Sequence, residues 1–373
     1  MPSNIKIWAG NSDFLTWSRH KAEAFSEART QLLIELSNQL LTRDYSGPLK
    51  ALGFWLRESQ LRHWQQSYTQ DKKLILAPIG RVFIVSPSNV EGLFAYSWSL
   101  SFLLGNETVV RVSEHITDDQ RALFELLNEL GQSHTVLNHQ AFISYDKRSE
   151  WTQRLSNWCQ FRMLWGSDQS ITDIRRLVLP AQTQEWVFPD RYSVSVLHLK
   201  QDDIPHIPNL AEGFARDVST HKQQACASPK WVFWYQTDKV LQQQFWQAVD
   251  ACLEGDFPAT ERLVSSQYLC ALGGAEYHHG NFQVVEASSI LGRDQNLLGV
   301  VGQTCLDDLN KCSGLFPENI QSVTCHGLSR EHKALIASCC QVRQFSPLGQ
   351  ALSFEVNWDG QDLIEMLARD VRL

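Results

Sequence analysis

The chain has 373 residues, 43% of them hydrophobic and 20% charged, which is enough to bury a sizeable core and, at ordinary domain sizes, to divide into about two domains. A formal charge of −8 with no block of five or more basic residues disfavours nucleic acid or an anionic membrane surface as main partner. No signal-peptide pattern follows Met1, and the longest apolar stretch, Val90 to Leu104, carries Glu91 and three serines and is too short to span a bilayer, so a soluble, cytoplasmic protein without a membrane span is expected.

From Asp13 to Gln66 the chain is rich in Leu, Ala, Glu, Gln and Arg, with Leu32, Leu33, Leu36 and Leu40 at helical spacing, and this predicts two helices broken near Ser46-Gly47-Pro48. From Leu74 the pattern changes to short apolar runs at Val82 to Ser86, Thr108 to Val112, Phe142 to Tyr145, Phe161 to Trp165 and Arg176 to Leu179. Helix-like segments lie between them, at Glu91 to Leu104, Asp118 to Leu130, Glu150 to Trp158 and Gln169 to Arg175. Continuous apolar strands alternating with helices argue for a parallel sheet covered on both faces, the doubly wound α/β class. A second set begins with Tyr192 to Leu199 and a helix through Ala211 to Val218. After the loop around Cys226 it continues with a strand at Lys230 to Tyr235 and helices near Leu241 to Cys252 and Thr260 to Leu272. Later runs at Phe282 to Glu286, Leu297 to Gly302 and Ser322 to Cys325 complete a second α/β sheet. The expected division is a first domain over 1–200, a second over 201–340, and a segment 341–373 packing back on the first.

The cysteines are nine in number and none forms C-x-x-C, which fits reduced thiols and gives neither a disulfide framework nor a zinc site support. One stands out. In Gln223-Gln224-Ala225-Cys226-Ala227-Ser228-Pro229 the thiol sits among small residues just before an apolar strand, and small neighbours leave it accessible, as a nucleophile requires. Other candidates have blander readings: His221 as a solvated or capping ring, His278-His279 as a polar turn, Cys325-His326 as a buried thiol beside a hydrogen-bonded ring. Trp98, Trp165 and Trp234 are candidates for walls around an acyl chain, against a default role in the core.

Pro78-Ile79-Gly80 leads into the strand at Val82, which is followed by Ser86-Pro87-Ser88-Asn89, and further on Gly105-Asn106 opens a strand that ends in Arg111-Val112-Ser113-Glu114. Leu164-Trp165-Gly166-Ser167-Asp168, Asp217 ahead of the Cys226 loop, and Ser346-Pro347-Leu348-Gly349-Gln350-Ala351-Leu352 with Trp358-Asp359-Gly360 come next, in family order. Here the chain resembles the LuxC-type acyl-CoA reductases of the aldehyde dehydrogenase superfamily. The resemblance implies two α/β domains, a Rossmann-like cofactor domain and a catalytic domain carrying the nucleophilic Cys. Carried over, Cys226 matches the nucleophile and Asn89 the amide that helps hold the oxyanion. Ser86, Arg111, Ser113 and Glu114 match the region meeting the adenosine half of the cofactor, and Gly166 and Ser167 the turn near the pyrophosphate. The implied activity is reduction of an acyl thioester to an aldehyde, with NADPH as expected cofactor and NADH as the alternative. The expected partners are an acyl-CoA or acyl-carrier-protein thioester and further copies of the chain; no nucleic acid, membrane or metal is expected. Arg111 and Val112 replace the family's usual Lys and Pro. The E-L-G-G-K segment that supplies a general-base Glu in hydrolytic relatives is absent, and Asp190-Arg191-Tyr192-Ser193 stands there instead. A redox-free acyltransferase or thioesterase using the same Cys is the alternative function, and a non-catalytic cofactor-binding scaffold a third.

Overall fold

In the computed structural model, which describes residues 5–17, 22–70, 74–86, 92–293, 295 and 297–372, the apolar runs become two mainly parallel sheets with helices between successive strands. The first unit comprises Met1–Pro189 with Val356–Leu373. It begins with β1 (Lys6–Gly10), then α1 (Glu27–Thr42), α2 (Gly47–Trp55) and α3 (Glu58–Thr69). After β2 (Leu74–Pro78) come β3 (Arg81–Val85), α4 (Leu93–Leu103), β4 (Glu107–Arg111), α5 (Asp118–Gly131) and β5 (Gln140–Ser144). α6 (Trp151–Trp158), β6 (Phe161–Trp165), α7 (Asp168–Arg175) and β7 (Gln184–Phe188) complete the series. Strand order is β1-β5-β4-β3-β6-β7, with β1 antiparallel to its neighbour and the others parallel. The chain therefore winds outward from β3 to β4 and β5, crosses back, and continues on the other side through β6 and β7. That reversal beside β3 is a topological switch point, the place where open α/β sheets take ligands at their carboxyl ends.

The second unit, Asp190–Glu355, holds β8 (Tyr192–Leu197), α8 (Ile207–Ser219), β9 (Trp231–Tyr235), α9 (Lys239–Cys252), α10 (Ala259–Ala271), β10 (Ala275–His278) and β11 (Gln283–Glu286). It continues with β12 (Val300–Leu306), α11 (Cys312–Leu315), β13 (Ile320–His326), α12 (Arg330–Cys339) and β14 (Gln344–Ser346). Its sheet runs β10-β11-β12-β9-β8-β13-β14, antiparallel only at β10. Gly302 of β12 stands opposite Trp231 because a Cβ there would come within 2.0 Å of the indole, which lies flat across the bare backbone. The chain then returns to the first unit with β15 (Asn357–Trp358), β16 (Gln361–Asp362), α13 (Leu363–Met366) and β17 (Ala368–Arg372), which pairs antiparallel with β2.

Local chemistry accounts for many of these elements. Thr117 and Gln120 form a capping box at the start of α5, and Ser46 with Pro48 opens α2. α4 is apolar on every side because it is buried, and Ser101 within it meets the Thr108 hydroxyl of β4 at 2.8 Å. The Gly105-Asn106 pair has a structural duty. Asn106 is fully buried; its Oδ1 accepts from Gly80 N at 3.0 Å and its Nδ2 donates to Leu367 O at 2.8 Å, tying the β2–β3 turn to the returning C-terminal segment.

Several expectations move. The first helical stretch is three helices, not two, preceded by a strand, β1, that periodicity did not reveal. The run Arg176 to Leu179 is not a strand: Val178 is 76% exposed, and the fifth parallel strand is β7, eight residues later. The units divide at Pro189/Asp190 and at Glu355/Val356, not at the expected 200/201 and 340/341. The reason is pairing: β8 lies between β9 and β13 in the second sheet, and β14 extends the same sheet. Among the described residues, no helix is long and apolar enough to cross a membrane.

Candidate active site

The segment from α8 to β9 carries Cys226. α8 ends at Ser219, and the chain turns through two consecutive left-handed residues, Lys222 (φ 48°) and Gln223 (φ 61°), before reaching the thiol. Gln224 N donates to His221 O at 2.9 Å and Ser228 N to Ala225 O at 3.0 Å, so the loop is a pair of tight turns. Ala225 and Ala227 are buried on either side, while Cys226 between them is only partly covered. Burial pushes the Cys226 thiol up. A bond from the backbone of Arg191, the Lys230 ammonium and the Arg191 guanidinium pull it down, and the Asp190 carboxylate pushes it up again. The charges around the thiol thus come from the start of β8 and the start of β9, two parallel neighbours whose amino ends meet at the loop. Desolvation lowers the His221 pKa, so that ring is neutral at physiological pH and brings no positive charge to the loop. Glu212 is paired with Arg216 on α8, and its charge bears on Cys252.

Asp217, two residues before the end of α8, is 1% exposed and accepts from Gly349 N at 2.7 Å and Ala351 N at 3.0 Å. It thereby fixes the Ser346 to Leu352 loop against the helix that leads to Cys226. Gly213 permits this approach, since a Cβ there would lie 3.0 Å from the Leu348 backbone. Burial pushes the Asp217 carboxyl up to about 6, against the two backbone donors and Arg216. The folded protein holds this proton more tightly than an unfolded chain, whose Asp titrates near about 3.9. The stabilisation is fully present below about pH 4 and is lost as pH rises through about 6. A shift of that size corresponds to about 2–3 kcal/mol of unfolding free energy between those limits. Urea unfolding of the wild type and Asp217→Asn at pH 4.5 and pH 7 should show the difference between the two proteins changing by about 2 kcal/mol; a constant difference would contradict it.

In the first unit the expected cofactor residues gather around the switch point. Ser86 follows β3, is buried, and donates its N–H to Arg111 O at 3.0 Å. Arg111 closes β4 opposite Val85, and Leu164 of β6 faces Val85 from the other side, which brings Gly166 and Ser167 to the same edge. The Arg111 guanidinium lies 5.3 Å from the Tyr145 ring centroid, and its buried Nε finds no hydrogen-bond partner among the described residues. Ser113 accepts from His115 N at 3.3 Å, and Glu114 is exposed. Ser167 caps α7, its Oγ accepting from Ser170 N at 3.3 Å, while Gly166 N donates to Phe188 O at 3.3 Å. The turn therefore offers fewer open N–H groups than its sequence suggests, and Asp168 adds a carboxylate to the first turn. Asn89 lies outside the described residues.

The three candidate tryptophans are buried: Trp98 Nε1 donates to Gln140 at 2.9 Å, Trp234 Nε1 to Gln303 at 2.8 Å, and Trp165 stacks on Phe188 at 3.8 Å. His326 Nε2 meets Asp203 Oδ1 at 2.8 Å beside buried Cys325. Sequence reasoning did not single out Lys230 or Gln223 as site residues, although both flank the Cys226 motif, and it read Asp190 and Arg191 only as a replacement for a missing motif.

Two sheets of this order, one with a ligand-type switch point and one with a cysteine turn ahead of a central strand, define the aldehyde dehydrogenase fold. The structure matches an NAD-dependent aldehyde dehydrogenase from Sinorhizobium meliloti with a TM-score of 0.71 at 10% identity, over 92% of this chain and 81% of that one. An oxidoreductase from Marinobacter aquaeolei matches at 0.69 and 10% identity over 98% and 88%. A mutant of aldehyde dehydrogenase C from Pseudomonas syringae, bound to NAD+ and octanal, matches at 0.66 and 11% identity over 93% and 84%. Comparison with curated protein sequences returns no match. The model of the LuxC acyl-CoA reductase family matches residues 51–267, more than half of the sequence, and the chain belongs to that family. It is accordingly an oxidoreductase acting on aldehyde or acyl groups.

Proposed function

We propose that this protein reduces an acyl thioester of coenzyme A or an acyl carrier protein to the aldehyde, through a thioester on Cys226 and with NADPH as preferred reductant. The observation that carries this reading is the Cys226 turn, two left-handed residues long, which holds a partly covered thiol next to Lys230 and Arg191. A packing role calls for no such turn. The Cys226 sulfur displaces the carrier thiol, which leaves with the proton the cysteine loses. A developing oxyanion is stabilised by backbone N–H groups of the loop, each donor typically contributing about 3 kcal/mol; a side-chain amide donor, the role the family resemblance gives Asn89, would add to them. A nicotinamide cofactor supplies hydride when bound. Hydride delivered to the acyl carbon would give a thiohemiacetal alkoxide on Cys226, which collapses to the aldehyde and the Cys226 thiolate, and a proton from solvent restores the thiol.

The residues at the switch point fit such a cofactor. Ser86, Arg111 and Gly166 stand at adjacent strand ends, and the buried Nε of Arg111, without a hydrogen-bond partner among the described residues, is a donor suited to an anion. Its guanidinium suits a 2′-phosphate, while Glu114 opposes one. A panel of acyl thioesters followed by absorbance should show aldehyde formed with loss of reduced cofactor, and faster turnover with NADPH than with NADH. Arg111→Ala should raise the KM for NADPH about tenfold, and that for NADH less. Equal or better turnover with NADH would overturn the preference, and free acid released without cofactor consumption would favour the thioesterase reading.

A further inference from the structure

We infer that Gln223 is a positioning residue for Cys226, its side-chain amide bolting the cysteine turn to the start of β12. The inference rests on the reading of Cys226 as nucleophile. Gln223 is 1% exposed, and its amide is used at both ends: Nε2 donates to Val300 O at 2.8 Å, and Oε1 accepts from Gly299 N at 3.2 Å. Its own N–H donates to Val218 O at 2.7 Å, closing the end of α8. The side chain thus joins two places more than seventy residues apart in sequence, three residues ahead of the reacting sulfur.

The backbone shows what this bridge has to hold. Lys222 and Gln223 are both in the left-handed region, where a side chain is strained by roughly 1–2 kcal/mol per residue unless its surroundings fix it. Gly299, the acceptor's partner, is left-handed as well, and a Cβ there would lie 2.5 Å from Arg262 Cγ. Val300 starts a strand that pairs with β9, the strand into which the cysteine turn runs. The amide therefore sets the turn against the amino end of an interior strand, paired on both sides. The pattern needs one group that donates and accepts at once; a hydrocarbon can do neither, and a carboxylate can only accept. A protonated carboxylic acid can do both.

That last property supplies a test in which a merely structural residue behaves differently. Gln223→Leu and Gln223→Glu are prepared in the full chain, together with Cys226→Ala. Cys226 alkylation by iodoacetamide and acylation by an acyl-CoA are measured from pH 5.5 to 8.5, with thermal unfolding as control. Gln223→Leu should acylate about 10- to 100-fold more slowly, chiefly in kcat, while still folding. Gln223→Glu should approach the wild-type rate at low pH, where the acid is protonated, and fall as it ionises against the Val300 carbonyl. This adds a pH limb that the wild type lacks. Wild-type rates in both variants across the range would overturn the inference, as would a loss of stability in Gln223→Glu without the new limb. The alkylation arm involves no thioester. If Cys226→Ala still forms an acyl-enzyme while Gln223→Glu shows the limb in alkylation, the bridge stands and the assignment of the nucleophile falls.

Discussion

Replacing Cys226 by alanine is expected to abolish both acyl-enzyme formation and aldehyde production while leaving the fold and cofactor binding in place. The thiol is only partly covered, and the turn that presents it is held by its own backbone bonds and by the Gln223 amide; the sulfur takes part only in the bond from the Arg191 backbone. Its removal takes away one polarisable atom between two buried alanines, so the effect on stability should be small beside the 2–5 kcal/mol typical of large core deletions. Cys159 and Cys312, both buried and pushed up to about 12, are poor substitutes as nucleophiles. Intact-protein mass spectrometry after mixing with an acyl thioester decides the matter, and an adduct that persists in Cys226→Ala would sink the assignment.

The second large effect concerns how an acyl group leaves Cys226. With reduced cofactor withheld, the intermediate should persist in buffer, be released faster by added thiol than by water, and yield aldehyde once NADPH is supplied. The segment that would carry a general-base Glu is absent, and a positioned base typically contributes about 10²–10⁴-fold to such a hydrolysis. Three groups are candidates to take its place. His221 is neutral and half-buried, and Glu212 is engaged with Arg216. Asp190 is exposed, and its charge reaches the thiol. Forming the acyl-enzyme, removing excess thioester and following free acid, thioester and aldehyde separately measures the partition. Rapid release of acid in buffer alone would show water activation, and loss of that release in Asp190→Asn would assign it to Asp190.

Much of the architecture was written in local pattern. The apolar runs at 82–86, 108–112, 142–145 and 161–165 coincide with β3, β4, β5 and β6 to within two residues at either end. They could be read because strands buried on both faces must be continuously apolar. The same rule misled at the edge of the sheet. β7 alternates between exposed and covered residues, with Trp186 36% exposed, because an edge strand has one solvated side. The more apolar run at 176–179 looked like the better strand. The break between α2 and α3 at Leu56 and Arg57 carries no Gly or Pro, so composition gave no sign of it.

The sequence by itself determined the class of fold, the family resemblance and the cysteine to watch, since each rests on spacing along the chain. Only the tertiary structure decided what holds that cysteine and where the chain divides. Gln223 meets Gly299 and Val300 across more than seventy residues, Asp217 meets the loop at 349–351 across more than a hundred, and Asn106 meets Leu367 across more than two hundred and fifty. Each of these contacts is a buried polar group finding the partner its burial demands. Which partner it finds depends on strand order, and strand order follows from how the sheets assemble, so no window along the chain contains it.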